Sequence, residues 1–249
     1  MNKYQQIETA VEMSLNDKEK LYPNQSPRIS TNFKEWAGID LTQFMSLLDV
    51  NSLKHDSESF TIKETLPHIR IYTELIRKGG PAFETGEITY GFAQSPFGEI
   101  IVGSTHQGVC CFSFSNEDHD KALKRVVDQW QPSHLTRDDK AAKIVVDNLF
   151  SSENKLPDIH MRGSELQIKV WQALLLIPFG HVTTYGSVAR IIHNEKAVRA
   201  VATAVGQNPI AIIVPCHRVV RSEGILGNYY WGTPKKACIL GWERAKVYK

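Results

Sequence analysis

The sequence is organised around one stretch in which an apolar run leads into a reactive pair: Ile212-Ile213-Val214-Pro215-Cys216-His217-Arg218-Val219-Val220. A run of this kind predicts a buried strand that delivers a side chain to the wall of a site. The candidate nucleophile is Cys216 and the candidate base is His217, because a thiol becomes nucleophilic once an imidazole takes its proton. The alternative is that Cys216 is a small core residue, the common role of a buried cysteine.

The cysteine content and the apolar pattern restrict the compartment. The four cysteines, at positions 110, 111, 216 and 238, form neither a Cys-x-x-Cys pair nor a disulfide framework, which favours a reducing environment. Residues 1–21 are polar and carry both signs of charge, and no later stretch is long and apolar enough to span a membrane. The sequence therefore predicts a cytoplasmic protein without a membrane partner.

The distribution of charge is more informative than its total. The net charge of the 249 residues is only +2, but residues 185–249 contain ten Lys or Arg and three Asp or Glu. That segment carries +7, so the remainder carries −5. A basic segment on an acidic chain is typical of a phosphate-binding face, although a solvated basic surface would give the same count.

The apolar periodicity predicts an α/β fold in three consecutive segments. Residues 1–80 contain short helices, one of which Asp40 would cap, and Gly79-Gly80-Pro81 reads as a linker. Residues 86–160 alternate between apolar and polar side chains and then become helical, which predicts a small antiparallel sheet with helices. Residues 163–249 form a mostly helical segment that includes the predicted strand before Cys216.

Two short helices in the last segment form a helix-turn-helix candidate. Ser164 begins a capping box for the helix that precedes them, and Thr184 can cap the first of the pair. The second helix is predicted over residues 195–205 and contains four alanines, which make it slim. A slim helix can approach another helix or a DNA groove, and periodicity does not separate these two.

The downstream half of the chain resembles the O6-alkylguanine-DNA alkyltransferases. The resemblance runs from about Gly86 to the C-terminus and lies in these residues, which occur in the same order: Tyr185, Arg199-Ala200-Val201, Gln207-Asn208-Pro209, Pro215-Cys216-His217-Arg218, Gly224, Gly227, Trp231-Gly232 and Glu243. It implies a ribonuclease H-like scaffold over residues 86–160 and a DNA-binding, alkyl-accepting segment over residues 163–249.

The resemblance assigns the reaction to a small set of side chains. Cys216 would accept the alkyl group irreversibly, with His217 as the general base through a bound water and Glu243 orienting the imidazole. Asn208 would tie the helix-turn-helix to the active-site strand, and Tyr185 would crowd the target phosphate and hydrogen-bond the guanine ring. Because the product is a thioether, each molecule would react once, without a metal or an organic cofactor.

The resemblance also implies how the substrate is held. The partner would be double-stranded DNA that contains an alkylated guanine, bound through its minor groove by a monomer. The predicted DNA contacts are Tyr185, Arg199, Ala200, Arg218 and Lys236, with Arg199 filling the gap left by the flipped base and Lys236 standing at the rim. The predicted pocket residues are Pro215, Val219, Tyr229 and Tyr230.

The N-terminal segment shows a second, local resemblance. Residues 33–44 are similar to part of the AraC-type helix-turn-helix region of adaptive-response proteins, so residues 1–80 are predicted to be a shortened remnant of it. No cysteine precedes Cys110, so the four-cysteine zinc module of those proteins is expected to be absent. Three other functions stay open: a damage-responsive transcriptional regulator, a cysteine hydrolase, and a protein that binds lesions without repairing them.

Overall fold

The computed structural model describes residues 2–16, 27–59, 69–76, 86–115, 118–151 and 155–248. The predicted linker at Gly79-Gly80-Pro81 lies outside these ranges. The helices of the described part are α1 (Lys3–Asn16), α2 (Pro27–Ala37), α3 (Leu41–Ser46), α4 (Val50–Ser59), α5 (His119–Trp130), α6 (Asp139–Phe150), α7 (Glu165–Leu174), α8 (Tyr185–Ile191), α9 (Val198–Gly206) and α10 (Thr233–Val247). The strands are β1 (Ile71–Leu75), β2 (Glu87–Ser95), β3 (Gly98–Thr105), β4 (Gly108–Phe114), β5 (His134–Arg137), β6 (Ile159–Gly163), β7 (Thr183–Thr184) and β8 (Val219–Val220).

The chain forms two compact units that interleave along the sequence. One unit contains Met1–Lys63, Leu176–Val198 and His217–Lys249, and the other contains Glu64–Leu175 and Arg199–Cys216. The three consecutive segments predicted from the sequence therefore do not coincide with the compact units. The difference arises because α1 at one end of the sequence packs against α10 at the other.

The second unit is built on a six-stranded sheet with the strand order β1-β6-β4-β3-β2-β5. β2, β3 and β4 pair antiparallel, as predicted, but β1 with β6, β4 with β6, and β2 with β5 pair parallel. The predicted antiparallel sheet is thus a mixed sheet, and β1 belongs to it although residues 1–80 were predicted to be helical. The mixed α/β class itself is confirmed.

A buried apolar cluster covers one face of this sheet and explains why α5 lies there. Its members come from β2, β3, β4 and α5 and are Ile88, Phe92, Ile101, Cys110, Cys111, Ala122, Val126 and Trp130. Cys110 and Cys111 are both buried free thiols within this cluster. The side chains of this cluster are all apolar or thiols, so α5 packs onto the sheet through apolar contacts.

The helix starts follow local sequence signals closely. Asp40 and Ser164 each begin a capping box, in which the side chain accepts a hydrogen bond from the backbone N–H three residues later, of Gln43 in one case and Gln167 in the other. The Thr184 hydroxyl likewise accepts from the Ser187 N–H at 3.1 Å and begins α8. All three capping predictions are confirmed.

Two kinds of feature are absent from the described residues. Within the ranges given above, no helix has the length and apolar content needed to cross a membrane. Over the same residues, no three His, Cys, Asp or Glu side chains cluster as a metal site would require.

Candidate active site

The chain that leads to Cys216 is buried but is not a strand. Residues 211–213 form a turn, with Ile212 at a φ of +67°, and the segment meets the sheet at an isolated parallel bridge between Ile210 and Phe112. The Ala211 N–H donates to the Phe112 carbonyl at 2.7 Å, and the Phe112 N–H donates to the Pro209 carbonyl at 3.0 Å. The prediction of an extended strand was wrong, because an apolar run encodes burial and not backbone conformation.

Asn208 organises this turn from within. Its side-chain NH₂ donates to the Val214 carbonyl at 2.7 Å and lies 3.2 Å from the Cys216 sulfur, and its carbonyl oxygen accepts from the Ile210 N–H at 3.0 Å. The residue is buried, so these bonds are protected from water. Asn208 therefore fixes the turn and places an N–H donor against the sulfur of Cys216.

Cys216 begins a single 3-10 turn, Cys216–Arg218. Its own N–H donates to the Val214 carbonyl at 2.8 Å, and Pro215 between them is buried. The side chain of Cys216 is 5% exposed, so a reagent can reach the sulfur only from a restricted direction. A donor at the sulfur favours the thiolate, which is the nucleophilic form.

His217, Arg218 and Glu243 form a buried cluster of charge. Nε2 of His217 lies 2.9 Å from Oε1 of Glu243, and Arg218 donates to both oxygens of that carboxylate at 2.9 Å each. The side chains of His217 and Glu243 are 0% and 3% exposed. A two-point contact of this kind fixes the plane of the carboxylate and, through it, the imidazole ring.

Gly180 completes the set of donors around Glu243. Its N–H donates to Oε2 of Glu243 at 3.1 Å, so each carboxylate oxygen accepts two hydrogen bonds. Gly180 has a φ of +76°, and a Cβ there would lie 2.7 Å from a methyl group of Val247. Both its conformation and the lack of space require glycine at this position.

The ionisation of this cluster follows from its burial. Burial works to raise the pKa of Glu243, but Arg218 and His217 lower it, and the net pKa lies far below the usual range of a carboxyl group. Burial lowers the pKa of His217, and Glu243 opposes this shift only in part. Glu243 is therefore an anion and His217 a neutral imidazole at neutral pH.

The tautomer of His217 follows from its neighbour. A carboxylate can only accept, so the proton of the neutral imidazole is on Nε2, and Nδ1 carries the lone pair. Nδ1 is buried, and no described residue gives it a hydrogen-bond partner. Nδ1 of His217 is therefore a basic nitrogen whose lone pair is not bound by any described residue. It belongs to the residue that directly follows Cys216.

Two of the predicted DNA contacts lie elsewhere than expected. Lys236 is 1% exposed, and its ammonium group donates to the backbone carbonyls of Val219 and Leu226, at 2.6 Å for the first. Arg218 is occupied by Glu243 and by the Ile177 carbonyl. The charged groups of Lys236 and Arg218 therefore bind partners inside the protein, and neither lies at the rim of the site, where it could contact DNA.

The helix-turn-helix candidate has the predicted helices with a small change. A 3-10 turn, Glu195–Ala197, precedes α9, so the predicted helix over residues 195–205 has a tighter first turn. Arg199 and Ala200, in the first turn of α9, are exposed, whereas Tyr185 is partly buried. Arg199 and Ala200 are thus accessible as their predicted role requires.

The predicted pocket loop is shaped by glycines and aromatic rings. Gly224, Gly227 and Gly232 all have positive φ, and a Cβ on Gly227 would lie 3.8 Å from the Tyr185 hydroxyl. The rings of Tyr229 and Tyr230 each lie about 5 Å from the Trp231 ring, and Tyr230 is 59% exposed. Lys236 ties this loop to β8 through Leu226 and Val219.

The comparisons with known proteins point to one family. Residues 165–245 match the family described as 6-O-methylguanine DNA methyltransferase, DNA binding domain. The methylated-DNA–protein-cysteine methyltransferase of Methanosarcina acetivorans is 37% identical over 154 residues, which cover 61% of this chain and 95% of that protein. The chain belongs to the methylated-DNA–protein-cysteine methyltransferase family. The resemblance stated from the sequence is therefore confirmed at the level of the family.

This chain is also similar to a longer relative and to a crystal structure that contains DNA. The bifunctional transcriptional activator/DNA repair enzyme Ada of Escherichia coli is 34% identical over 174 residues, which cover 66% of this chain. This chain spans about half the length (47%) of that relative. The crystal structure of Mycobacterium tuberculosis OGT in complex with DNA matches with a TM-score of 0.51 and 32% identity, and the match covers 64% of this chain and 94% of that one.

Sequence reasoning missed part of the site in this methyltransferase family member. Gly180 and the Ile177 carbonyl both support the buried cluster, but they are 63 and 41 positions away from the groups they bind. The only local signal was Pro178 with Gly180, which predicts a turn and says nothing about its partner. The residues that were predicted together and found in contact are Asn208 with Cys216, and His217 with Glu243.

Proposed function

We propose that this chain repairs DNA by transferring the alkyl group of an O6-alkylated guanine irreversibly to Cys216. The observation that carries the proposal is the buried contact of His217 with Glu243, which leaves a basic nitrogen on the residue next to a cysteine that receives an N–H donor from Asn208. Membership of the methyltransferase family supports the same reaction. The names of the relatives agree with it, and the proposal extends that activity to this chain.

The proposed chemistry requires one proton transfer and one displacement. The proton of the Cys216 thiol passes to Nδ1 of His217, with one water between them, and Glu243 stabilises the imidazolium that forms. The thiolate sulfur then attacks the alkyl carbon, so that an S–C bond forms, the C–O6 bond breaks and its electron pair stays on guanine. Guanine takes up one proton, which balances the proton that Cys216 lost. The thioether has no leaving group, so the protein is consumed.

The substrate must leave the base stack before the sulfur can reach it. We expect the guanine to be flipped, at a cost of a few kcal/mol that a badly paired lesion reduces. The exposed Arg199 and the small Ala200 on α9 suit insertion into the minor groove, since a guanidinium both stacks and carries positive charge there. Tyr185 is proposed to contact the target phosphate and the guanine ring.

The remaining predicted roles concern the pocket and the state of the protein. Pro215, Val219, Tyr229 and Tyr230 are proposed to line the pocket, with residues 86–160 as its scaffold. We propose that the protein acts as a monomer and that its four buried free thiols reflect a reducing cytoplasm. O4-methylthymine is a second candidate substrate of the same pocket.

The regulator alternative finds no support in the N-terminal helices. The ring of Phe44 in α3 packs against the backbone of Gly241 in α10, and the Trp36 carbonyl in α2 accepts from the Trp242 indole at 3.1 Å. The apolar sides of α2 and α3 therefore pack against α10 inside the protein. No observation favours transcription control over repair.

The proposal is tested by the intact mass of the protein after incubation with a duplex that contains O6-methylguanine. Wild type is expected to gain one methylene unit, about 14 Da, and to stop at one per molecule because the product is a thioether. Cys216→Ser is expected to gain nothing, while Cys238→Ser, which alters another buried thiol, gains the same mass as wild type.

Two other outcomes would overturn the proposal. An unchanged mass of wild type that still binds the lesion duplex would support the lesion-binding alternative. Repeated turnover of an ester without mass gain would support the hydrolase.

A further inference from the structure

The helix α4 of the N-terminal segment contributes a buried carboxylate to the neighbourhood of the cluster. Asp56 has a side chain that is 12% exposed and lies 3.0 Å from Nδ1 of His181. Its other oxygen accepts from the Val182 N–H at 3.0 Å and from Nη1 of Arg244 at 2.9 Å. One side chain from α4 thereby holds both the start of β7 and a residue of α10.

Arg244 transmits this contact towards the site. It directly follows Glu243 in α10, and its side chain is 4% exposed. Nη1 donates to the Gly180 carbonyl at 3.2 Å as well as to Asp56, and Nη2 donates to the Ser52 hydroxyl of α4 at 3.0 Å. Arg244 is thus held on two sides by α4.

Gly180 connects this arrangement to the reacting groups. Its carbonyl accepts from Arg244, and its N–H donates to Glu243. Asp56 binds the N–H of Val182, two residues after Gly180, and it also binds Arg244, which donates to the Gly180 carbonyl. A shift of Gly180 would withdraw one of the four hydrogen bonds that orient the carboxylate facing His217.

We propose that Asp56 is a positioning residue for Glu243, and that α4 is therefore part of the reacting site instead of a remnant of a regulatory module. The inference rests on the proposed function, because it concerns the base of that reaction. Asp56 acts through Arg244 and Gly180 and touches no reacting atom. Its effect is on the orientation of Glu243 and, through it, on the basicity of His217.

The ionisable groups near Asp56 and near Glu243 decide which group the pH dependence of the transfer rate reports. Asp56 faces His181, Arg244 and Tyr248, whereas Glu243 faces His217 and Arg218. Lys236 also acts on His217 and lowers its pKa. The acid limb is the fall of the alkyl-transfer rate as the pH decreases. Among these groups only His217 and Glu243 take part in the proposed proton transfer, so the acid limb reports the protonation of His217.

The test compares Asp56 and Glu8, two carboxylates of the N-terminal helices that each pair with a buried basic side chain of α10. Glu8 in α1 accepts from Lys235 at 3.1 Å, much as Asp56 accepts from Arg244, but among the described residues no hydrogen bond joins Glu8 or Lys235 to Gly180. Single-turnover methyl transfer would be measured against pH for wild type, Asp56→Asn and Glu8→Gln. Urea unfolding would be measured alongside, since both changes remove a partly buried ion pair.

Asp56→Asn is expected to lower the plateau rate by about tenfold, part of what a positioned general base contributes. The acid limb should move to lower pH, because a weaker Glu243 contact no longer raises the pKa of His217. Glu8→Gln should lose stability while its rate and acid limb stay those of wild type. Equal rates and equal pH profiles for all three proteins would overturn the proposal.

Two measurements keep the test decisive. The NMR resonance of the Nε2 proton of His217 reports its contact with Glu243 even if wild type transfers no alkyl group. It should shift in Asp56→Asn and not in Glu8→Gln, so failure of the proposed function is distinguishable from failure of this inference. If Asp56→Asn does not fold, Ser52→Ala removes one hydrogen bond to Arg244 and should slow transfer about twofold. An unchanged rate in that variant would overturn the inference.

Discussion

Cys216 and His217 are neighbours in sequence but are held by different physical means. Cys216 is held by neutral hydrogen bonds from Asn208, which is only eight positions away. His217 is held by buried charge, through a carboxylate 26 positions away. The nucleophile depends on local backbone geometry, whereas the base depends on the assembly of distant segments.

This difference predicts that substitutions around the nucleophile and around the base have different effects on rate and on stability. A neutral hydrogen bond contributes little net stability and nothing that depends on pH, so its loss should act mainly on the rate. A buried charge that loses its partner is strongly destabilising, because the remaining charge stays away from water. The following substitutions and a pH profile test this contrast, beginning with the largest expected effect.

Glu243→Gln should cause the largest loss of stability. It leaves Arg218 buried without a counter-charge, which is expected to cost about 3–5 kcal/mol in the free energy of unfolding. Urea denaturation would measure the loss, and Glu165→Gln is the control because that carboxylate pairs with Lys169 on an exposed helix surface. The control should change the free energy of unfolding far less, because solvent screens an exposed pair. Equal losses in the two variants would contradict the distinction between buried charge and surface charge.

Asn208→Ala should destabilise the protein less than Glu243→Gln does, and it should also slow the reaction. The Val214 carbonyl and the Ile210 N–H lose a buried partner, at an expected cost of about 1–3 kcal/mol. Asn208→Asp keeps the shape but replaces the donor at the Cys216 sulfur with a negative charge, so it too should slow alkyl transfer. Rate measurement by quenched-flow mass analysis would settle this, and a normal rate in Asn208→Asp would show that the donor has no influence on the thiolate.

The dependence of stability on pH should be the most selective effect. Burial lowers the pKa of His160 in β6 to about 4, and it also lowers the pKa of His217. For both residues the unfolded chain binds the proton first as the pH falls, so the free energy of unfolding decreases below about pH 6.5, by up to about 1.4 kcal/mol per pH unit for each histidine.

A substitution in the sheet separates the two histidines. His160→Gln should reduce the slope of stability against pH while leaving the acid limb of the alkyl-transfer rate unchanged, because His160 lies in the sheet and contacts Thr105. Urea unfolding at several pH values and the transfer rate at the same values are the measurements. A shifted acid limb in His160→Gln would mean that the limb does not report His217.

The parts of the fold encoded by neighbouring residues were predictable. Asp40, Ser164 and Thr184 begin their helices by hydrogen bonds that reach only three residues along the chain, so the sequence pattern contains the whole interaction. The turn over residues 211–213 was not predictable, because its apolar side chains are compatible with any buried conformation. Its shape depends on Asn208 and on contact with β4.

The fate of the basic side chains could not be read from the charge count. The excess of Lys and Arg near the C-terminus suggested a DNA-binding face, and the exposed Arg199 agrees with that. Lys235 and Arg244 instead pair with Glu8 and Asp56, which lie 227 and 188 positions away. A basic residue shows its partner only when the chain has folded, and this is why Asp56 was missed.

The contact between α1 and α10 sets the order in which the protein can assemble during synthesis. At about 5–20 residues per second, the 227 positions between Glu8 and Lys235 take on the order of 10–50 seconds to synthesise. The apolar side of α1, with Ile7 and Val11, has no α10 to cover it throughout that time. A newly made chain therefore leaves this side of α1 without its α10 contact until late in synthesis, and it cannot position Glu243 against His217 until translation of α10 is complete.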